Sequence, residues 1–143
     1  MLYFIIYGNK FIGYVNISQI KNGEDLINKY KVLLPKAIGN GGFDLPLNPI
    51  VTEKNSCCTF TYVVIGVFDT KKEAENLSKY IKTNFFKFLV GLRKITQDAT
   101  KKVYQFVPIQ DFNEEWTDEK LYKKYGLTQD EINYIESMIK PME

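Results

Sequence analysis

The hydrophobic and polar positions at the start of the chain alternate in the manner of short β-strands. An apolar and aromatic run over residues 2–7 is followed by the turn pair Gly8-Asn9, and a second β-rich run covers residues 11–17. A two-residue turn between two such runs is typical of a β-hairpin. We therefore predict that the chain opens with two antiparallel strands.

Two further strands are predicted before residue 70. Residues 31–36 form an apolar run whose end is set by Pro35, because proline cannot continue a central ladder. Residues 57–68 become continuously apolar at Val63, which predicts a single strand in the middle of a sheet. Residues 24–29 predict a short helix, and the glycine-rich stretch 38–56 predicts a long loop of the kind that often contacts a partner.

One long helix is predicted over residues 71–95. Thr70 and Glu73 form a capping-box pattern at its start. At 100° per residue its apolar positions share one narrow face, and its basic positions lie on the far side. The apolar stripe consists of Ala74, Leu77, Ile81, Phe85, Phe88, Leu92 and Ile95, and the basic stripe of Lys72, Lys79, Lys82, Lys87, Arg93 and Lys94.

The remainder of the chain predicts one strand and two helices. Residues 102–109 alternate as a strand that Pro108 closes, and Thr117 and Thr128 each precede acids in the manner of a helix N-cap, with Gly126 between the helices. The fold class expected is α+β: a small mixed or antiparallel sheet, one long helix packed on it and a C-terminal helical pair. The 143 residues fit a single domain, divided into a core over 1–110 and a helical tail over 111–143.

Composition excludes several kinds of site. The two cysteines, Cys57 and Cys58, are adjacent, and neighbouring residues of a strand point to opposite faces, so we expect reduced thiols. Histidine is absent, which leaves few ligands for zinc. No apolar run approaches the roughly 20 residues that cross a bilayer, so we expect no membrane association and a cytoplasmic protein.

Charge is unevenly distributed behind a net value of +2. Residues 69–110 hold nine Lys or Arg against four acids, whereas residues 111–143 hold four Lys against nine acids. A local basic excess is what a phosphate-facing surface needs. The alternative is that the basic helix and the acidic tail simply pair with each other, and composition leaves both possibilities open.

Several separated segments resemble one known family. They are residues 88–99, 104–112 and 116–127, together with Lys31-Val-Leu-Leu-Pro-Lys-Ala and Asn55-Ser-Cys-Cys-Thr. Their amino-acid sequences resemble the C-terminal, DNA-specificity region of bacterial adenine-specific DNA methyltransferases and single-chain restriction–modification enzymes. The resemblance implies a piece of a longer enzyme, whose parent would use S-adenosylmethionine.

Catalytic motifs are missing from the chain itself. The Asn/Asp-Pro-Pro-aromatic motif of the resembled methyltransferases has no counterpart, since no Pro-Pro pair occurs. Asp69-Thr-Lys71 and Asp118-Glu-Lys120 match only half of a nuclease metal site and lie at predicted helix starts, where acids serve capping. We therefore expect no enzyme activity and no cofactor in these residues alone.

The expected function is recognition of double-stranded DNA beside the catalytic methyltransferase or nuclease domain of a parent enzyme. Basic side chains would contact phosphates, and amides and hydroxyls would reach base edges. The residues expected to do so, several of them by the resemblance, are Lys36, Lys54, Asn55, Ser56, Arg93, Lys94, Thr96 and Gln97. The alternative is a structural module whose acidic tail docks domains together without reading DNA.

Overall fold

The computed structural model describes residues 3–7, 12–36, 43, 46–93 and 101–139, with the backbone alone at 3–7 and 101. Strands β1 (Tyr3–Tyr7) and β2 (Ile12–Asn16) pair antiparallel, which confirms the two strands of the predicted hairpin, whereas its predicted turn, Gly8-Asn9, lies outside the described residues. Strand β5 (Ser56–Cys58) adds to β1 in parallel. The first sheet therefore has the order β2-β1-β5.

A second sheet is antiparallel and has the order β4-β3-β6. Its central strand, β3 (Tyr30–Pro35), is flanked by β4 (Ile50–Val51) and β6 (Tyr62–Phe68). Leu33 and Leu34 of β3 are fully buried, as expected of a strand with neighbours on both sides. Strand β4 lies inside the stretch predicted as a long loop, and the predicted helix near residue 24 is a 3-10 turn, Glu24–Leu26.

The prediction of one central strand over residues 57–68 is wrong. A turn at residues 59–61 divides this run into β5 and β6, which belong to different sheets, and β6 is an edge strand. The amide of Tyr62 donates to the carbonyl of Thr59 at 3.2 Å, and the hydroxyls of Thr59 and Thr61 are 2.7 Å apart. Local hydrogen bonds of threonine thus replace ladder hydrogen bonds at this point.

The predicted long helix is two helices, α1 (Lys71–Ile81) and α2 (Asn84–Arg93). Helix α1 begins as predicted, since the Thr70 hydroxyl accepts from the amide of Glu73 at 3.3 Å. The break lies at Thr83, whose hydroxyl donates to the Tyr80 carbonyl at 2.7 Å and accepts from the Phe86 amide at 3.1 Å. Helix α1 packs on the β4-β3-β6 sheet.

The strand predicted over residues 102–109 is also wrong. Lys101–Tyr104 is a 3-10 helix, and the amide of Val107 donates to the carbonyl of Tyr104 at 3.1 Å, which continues the turn. Val103 is buried against the rest of the core, while Phe106 is half exposed. The apolar spacing of this segment therefore serves packing on α2 rather than pairing with a sheet.

The C-terminal helical pair is confirmed as α3 (Asp118–Lys124) and α4 (Gln129–Met138). Thr117 and Thr128 cap the two helices, and Gly126 between them has φ of +62°, a conformation that favours glycine. No helix among the described residues is long and apolar enough to cross a membrane.

Helices and sheet share one hydrophobic core, and the α+β class is confirmed. This core takes side chains from β3, α1, α2 and both C-terminal helices. Its buried members include Val32, Leu34, Leu77, Tyr80, Ile81, Phe85, Phe86, Trp116, Leu121 and Ile135.

Candidate nucleic-acid interface

A cleft of about 510 Å³ lies where the two sheets meet, and we call it the basic cleft. Its walls come from β2, β3, β5 and β6 and from the segment between β2 and β3. Among the described residues that line it are three lysines, Lys21, Lys31 and Lys36, and no carboxylate. No acidic side chain of the described lining therefore neutralises the positive charge of these lysines.

Lys31 is the structural member of this set. It lies on β3 and is only 3% exposed, and its ammonium donates to the carbonyls of Leu26 and Lys29 at 2.9 Å each. Burial lowers the pKa of Lys31, an effect that the neighbouring thiols of Cys58 and Cys57 partly oppose. The Lys31 ammonium thus holds the chain bend before β3 and has few donors left for a ligand.

Lys36 and Phe60 form the exposed end of the basic cleft. The Lys36 amide donates to the Thr61 carbonyl at 2.9 Å, which fixes the end of β3 against the turn that carries Phe60. The Lys36 ammonium lies 5.5 Å from the centre of the Phe60 ring, within the range of a cation–π contact. The Phe60 side chain is 87% exposed. A cation and an open aromatic face are therefore presented together.

The two cysteines on the wall of the basic cleft are free thiols, as expected from their adjacency. Burial raises the pKa of Cys57 and of Cys58, and the charge of Lys31 only partly opposes this. A raised pKa keeps a thiol protonated at neutral pH, and the protonated form is a poor nucleophile. The raised pKa values thus favour the less nucleophilic, protonated form of both thiols.

Lys54, Asn55 and Ser56 lie at the start of β5 and are used in different ways. Lys54 is exposed, with its ammonium 5.4 Å from the centre of the Tyr30 ring. Asn55 has φ of +58°, and its backbone N–H donates to the Ile27 carbonyl at 2.8 Å. Ser56 is 1% exposed, and its hydroxyl donates to the carbonyl of Glu53 at 2.6 Å. The Ser56 hydroxyl thus donates its proton inside the fold, and its contact with a DNA base stays a prediction.

The remaining predicted residues lie at or beyond the end of α2. Arg93 is exposed, and its guanidinium lies 5.6 Å from the centre of the Phe106 ring. In the described part of the chain, no carboxylate forms an ion pair with Arg93. Lys94, Thr96 and Gln97 lie outside the described residues.

The described members of the predicted set do not lie in one patch. Lys36 follows the last residue of β3 and Lys54 lies over Tyr30, its first residue, so the two lysines are separated by roughly 20 Å along the strand. Of these described members, Lys36 and Ser56 line the basic cleft. Lys21 and Phe60 also line this cleft. The sequence did not predict them, because no local pattern links residue 21 to residue 60.

Acidic side chains of the tail have partners inside the fold. Glu115 pairs with Lys79 of α1 at 3.0 Å, and Glu114 pairs with Lys120 at 2.6 Å. The Asp118 carboxylate accepts from two backbone amides at the start of α2, at 2.9 and 3.0 Å. The basic helix and the acidic tail thus pair with each other in part. Among the described residues, these ion pairs do not include a lysine of the basic cleft.

A second cavity, of about 540 Å³, lies between β6, α1 and the segment before α3, and we call it the aromatic cavity. Tyr80 and Phe86, both almost fully buried, form part of its lining. The described residues around it include Glu73 and Asp111 but no lysine or arginine. The two cavities therefore have opposite charge character.

Comparison with known proteins yields no match to any family model, any curated protein or any solved structure. The family resemblance of the sequence segments accordingly stays a prediction.

Proposed function

We propose that this domain binds double-stranded DNA, as the non-catalytic target-recognition module of a restriction–modification enzyme or adenine-specific methyltransferase. The observation that carries the proposal is the basic cleft: two lysines, Lys21 and Lys36, reach a concave surface whose described lining holds no carboxylate. Such a surface attracts a polyanion, because each lysine that neutralises a phosphate releases condensed counterions.

Two cations outside the cleft could extend the contact. Lys54 and Arg93 are exposed, and each lies over an aromatic ring. An aromatic ring beneath a cation restricts its side chain without neutralising its charge. Phosphates of a duplex that spans the domain are suitable partners for such side chains.

The competing docking function has less support among the acids expected to serve it. Glu114, Glu115 and Asp118 bind Lys120, Lys79 and the first amides of α2, respectively. A partner that used these carboxylates would have to break internal contacts. The acids of the tail are therefore better explained as part of this domain's own fold.

The test is a titration of the full chain against fluorescein-labelled duplexes of mixed sequence, read by anisotropy at two salt concentrations. Affinity should fall as salt rises, with a slope of about 0.9 for each phosphate contacted. The double variant Lys21→Glu, Lys36→Glu should bind at least tenfold more weakly and reduce the salt slope by about 2.

The matched control is the double variant Lys72→Glu, Lys123→Glu, which changes the net charge equally at two exposed lysines outside the cleft. It should lose much less affinity. Equal losses in the two double variants, or binding that ignores salt, would contradict the proposal.

A further inference from the structure

The size of the basic cleft restricts what can enter it. Its volume of about 510 Å³ lies within the roughly 300–1,000 Å³ range of small-molecule sites. The phosphates of a duplex can meet the lysines at the opening of the cleft, but a stacked base pair does not fit inside it, whereas a single nucleotide does. A base that enters the cleft must therefore be separated from its pairing partner.

Phe60 offers that nucleotide a stacking surface. Phe60 is 87% exposed, which leaves a large apolar side chain in contact with water. The turn beneath it is fixed by the hydroxyl contact between Thr59 and Thr61 and by the Lys36 amide. A base stacks on an aromatic side chain irrespective of its identity, because every base has a π face.

The groups around Phe60 match the rest of a nucleotide. The Lys36 ammonium lies over the Phe60 ring, which leaves the other face of the ring for a base, and Lys21 adds a second positive charge to the lining. The side-chain amide of Asn22, also on the lining, can donate to and accept from a base edge. The described lining holds no carboxylate that would repel the phosphate.

We propose that the basic cleft holds one unpaired nucleotide of a DNA strand, with its base stacked on Phe60 and its phosphate beside Lys36. This inference rests on the proposed DNA-binding function and adds a substrate class to it: duplex DNA that carries an unpaired nucleotide is preferred to fully paired DNA. A free nucleotide has the same chemistry, and the experiment separates the two sources.

The experiment compares three probes on the full chain. They are a 20-base-pair duplex with one bulged 2-aminopurine, the same duplex fully paired around 2-aminopurine, and adenosine monophosphate. The bulged duplex should bind about tenfold more tightly than the paired one, as expected for one stacked base. Its 2-aminopurine fluorescence should change on binding, because the base leaves its neighbours in the duplex and stacks on Phe60.

Phe60→Ala should abolish both the preference for the bulged duplex and the fluorescence change, so that bulged and paired duplexes bind equally. Phe60→Trp should restore both effects. The control is Tyr14→Ala, which removes an aromatic side chain that is 77% exposed and does not line the cleft. Because Phe60 and Tyr14 are both exposed, neither substitution endangers folding.

The outcomes are distinguishable. Equal binding of bulged and paired duplexes, or a fluorescence change that survives Phe60→Ala, overturns the inference but leaves lysine-dependent duplex binding intact. Binding of neither duplex overturns the proposed function as well. Adenosine monophosphate that binds as tightly as the bulged duplex overturns the assignment to a DNA strand.

Discussion

Tyr80 combines burial with a complete set of hydrogen bonds. Its side chain is 1% exposed, and its hydroxyl donates to the Pro108 carbonyl at 2.9 Å. Burial raises the pKa of Tyr80 to about 12, because the phenolate would be poorly solvated in the core. Tyr80 therefore enters the folded state as a neutral donor.

This shift predicts a loss of stability at high pH. Because the pKa of Tyr80 is higher in the folded state than the value of about 10 for an unfolded tyrosine, the unfolded state loses its proton first. The stabilisation is complete below pH 10 and is lost as pH rises toward 12, by about 2 to 3 kcal/mol. Urea unfolding of Tyr80→Phe at several pH values should show a weaker pH dependence over this window than the original chain.

Tyr134→Phe is the matched control, since Tyr134 is 58% exposed. It should keep the pH dependence of the original chain. Identical slopes for Tyr80→Phe and Tyr134→Phe would contradict the assignment to Tyr80.

At the residue scale, sequence reasoning identified part of the candidate site. Lys36 was predicted and lines the basic cleft, whereas Lys21 and Phe60 were not. The reason is that the cleft joins residues far apart in sequence, and only the pairing of β5 with β1 brings its walls together. Burial of Ser56 was equally invisible, because a serine before a strand is more often a surface turn residue.

At the element scale, Asp118 connects two helices. The sequence predicted an acid at the start of a helix, and Asp118 is indeed the first residue of α3. Its carboxylate, however, accepts from the Asn84 and Phe85 amides of α2. Asp118 thus satisfies donors that α2 cannot satisfy itself, and its charge complements the positive end of that helix.

Asp118→Ala should lower the free energy of unfolding by about 2 kcal/mol, because it removes a cap from α2. The substitution should also remove a favourable interaction with Lys87. Burial lowers the pKa of Lys87 because it disfavours the charged ammonium, and the Asp118 carboxylate opposes this effect. Urea denaturation followed by circular dichroism measures the effect.

Glu119→Ala provides the comparison, because Glu119 occupies the same first turn of α3 and is exposed. This variant should lose no more than about 0.5 kcal/mol. A loss as large as that of Asp118→Ala would show that the charge on α3, rather than the cap on α2, is responsible.

Element types were predictable where a side chain acts within its own helix or hairpin. The caps at Thr117 and Thr128 and the two strands of the opening hairpin are local features, and all of these are confirmed. Two of the three failures occur where a hydroxyl replaces a regular backbone hydrogen bond, at Thr83 between α1 and α2 and at the turn that separates β5 from β6. Apolar periodicity continues across both positions, so it could not reveal either break.

For the whole molecule, the helical tail is part of the core. Trp116, Leu121 and Ile135 belong to the same buried cluster as Tyr80 of α1. The Lys79–Glu115 ion pair and the Asp118 cap add polar connections between the tail and the two central helices. Charge pattern and helix content change near residue 110, but the hydrophobic core contains side chains from both sides of that position.

Shared packing predicts a single unfolding transition. Trp116 is the only tryptophan, so its fluorescence reports the tail, whereas far-ultraviolet circular dichroism reports the whole chain. The two urea midpoints should coincide, as they do for a cooperative domain. Leu121→Ala should lower both midpoints together, with a loss of about 2 to 5 kcal/mol.

A fluorescence midpoint well below the circular dichroism midpoint would contradict this prediction. It would indicate that the tail detaches first and behaves as a separate unit. Tail detachment would also expose Trp116, which is 8% accessible in the folded chain, and shift its emission to the red.

The opposite charge character of the two cavities has a kinetic consequence. One described lining lacks acids and the other lacks bases, so the two cavities differ in charge in a way that the net charge of +2 does not show. If the domain binds DNA as proposed, the field of the nucleic acid would turn the lysine-lined cleft toward it during diffusion, before any surface touches. Ionic strength would then act chiefly on how fast encounters become productive, and much less on how long the bound state lasts.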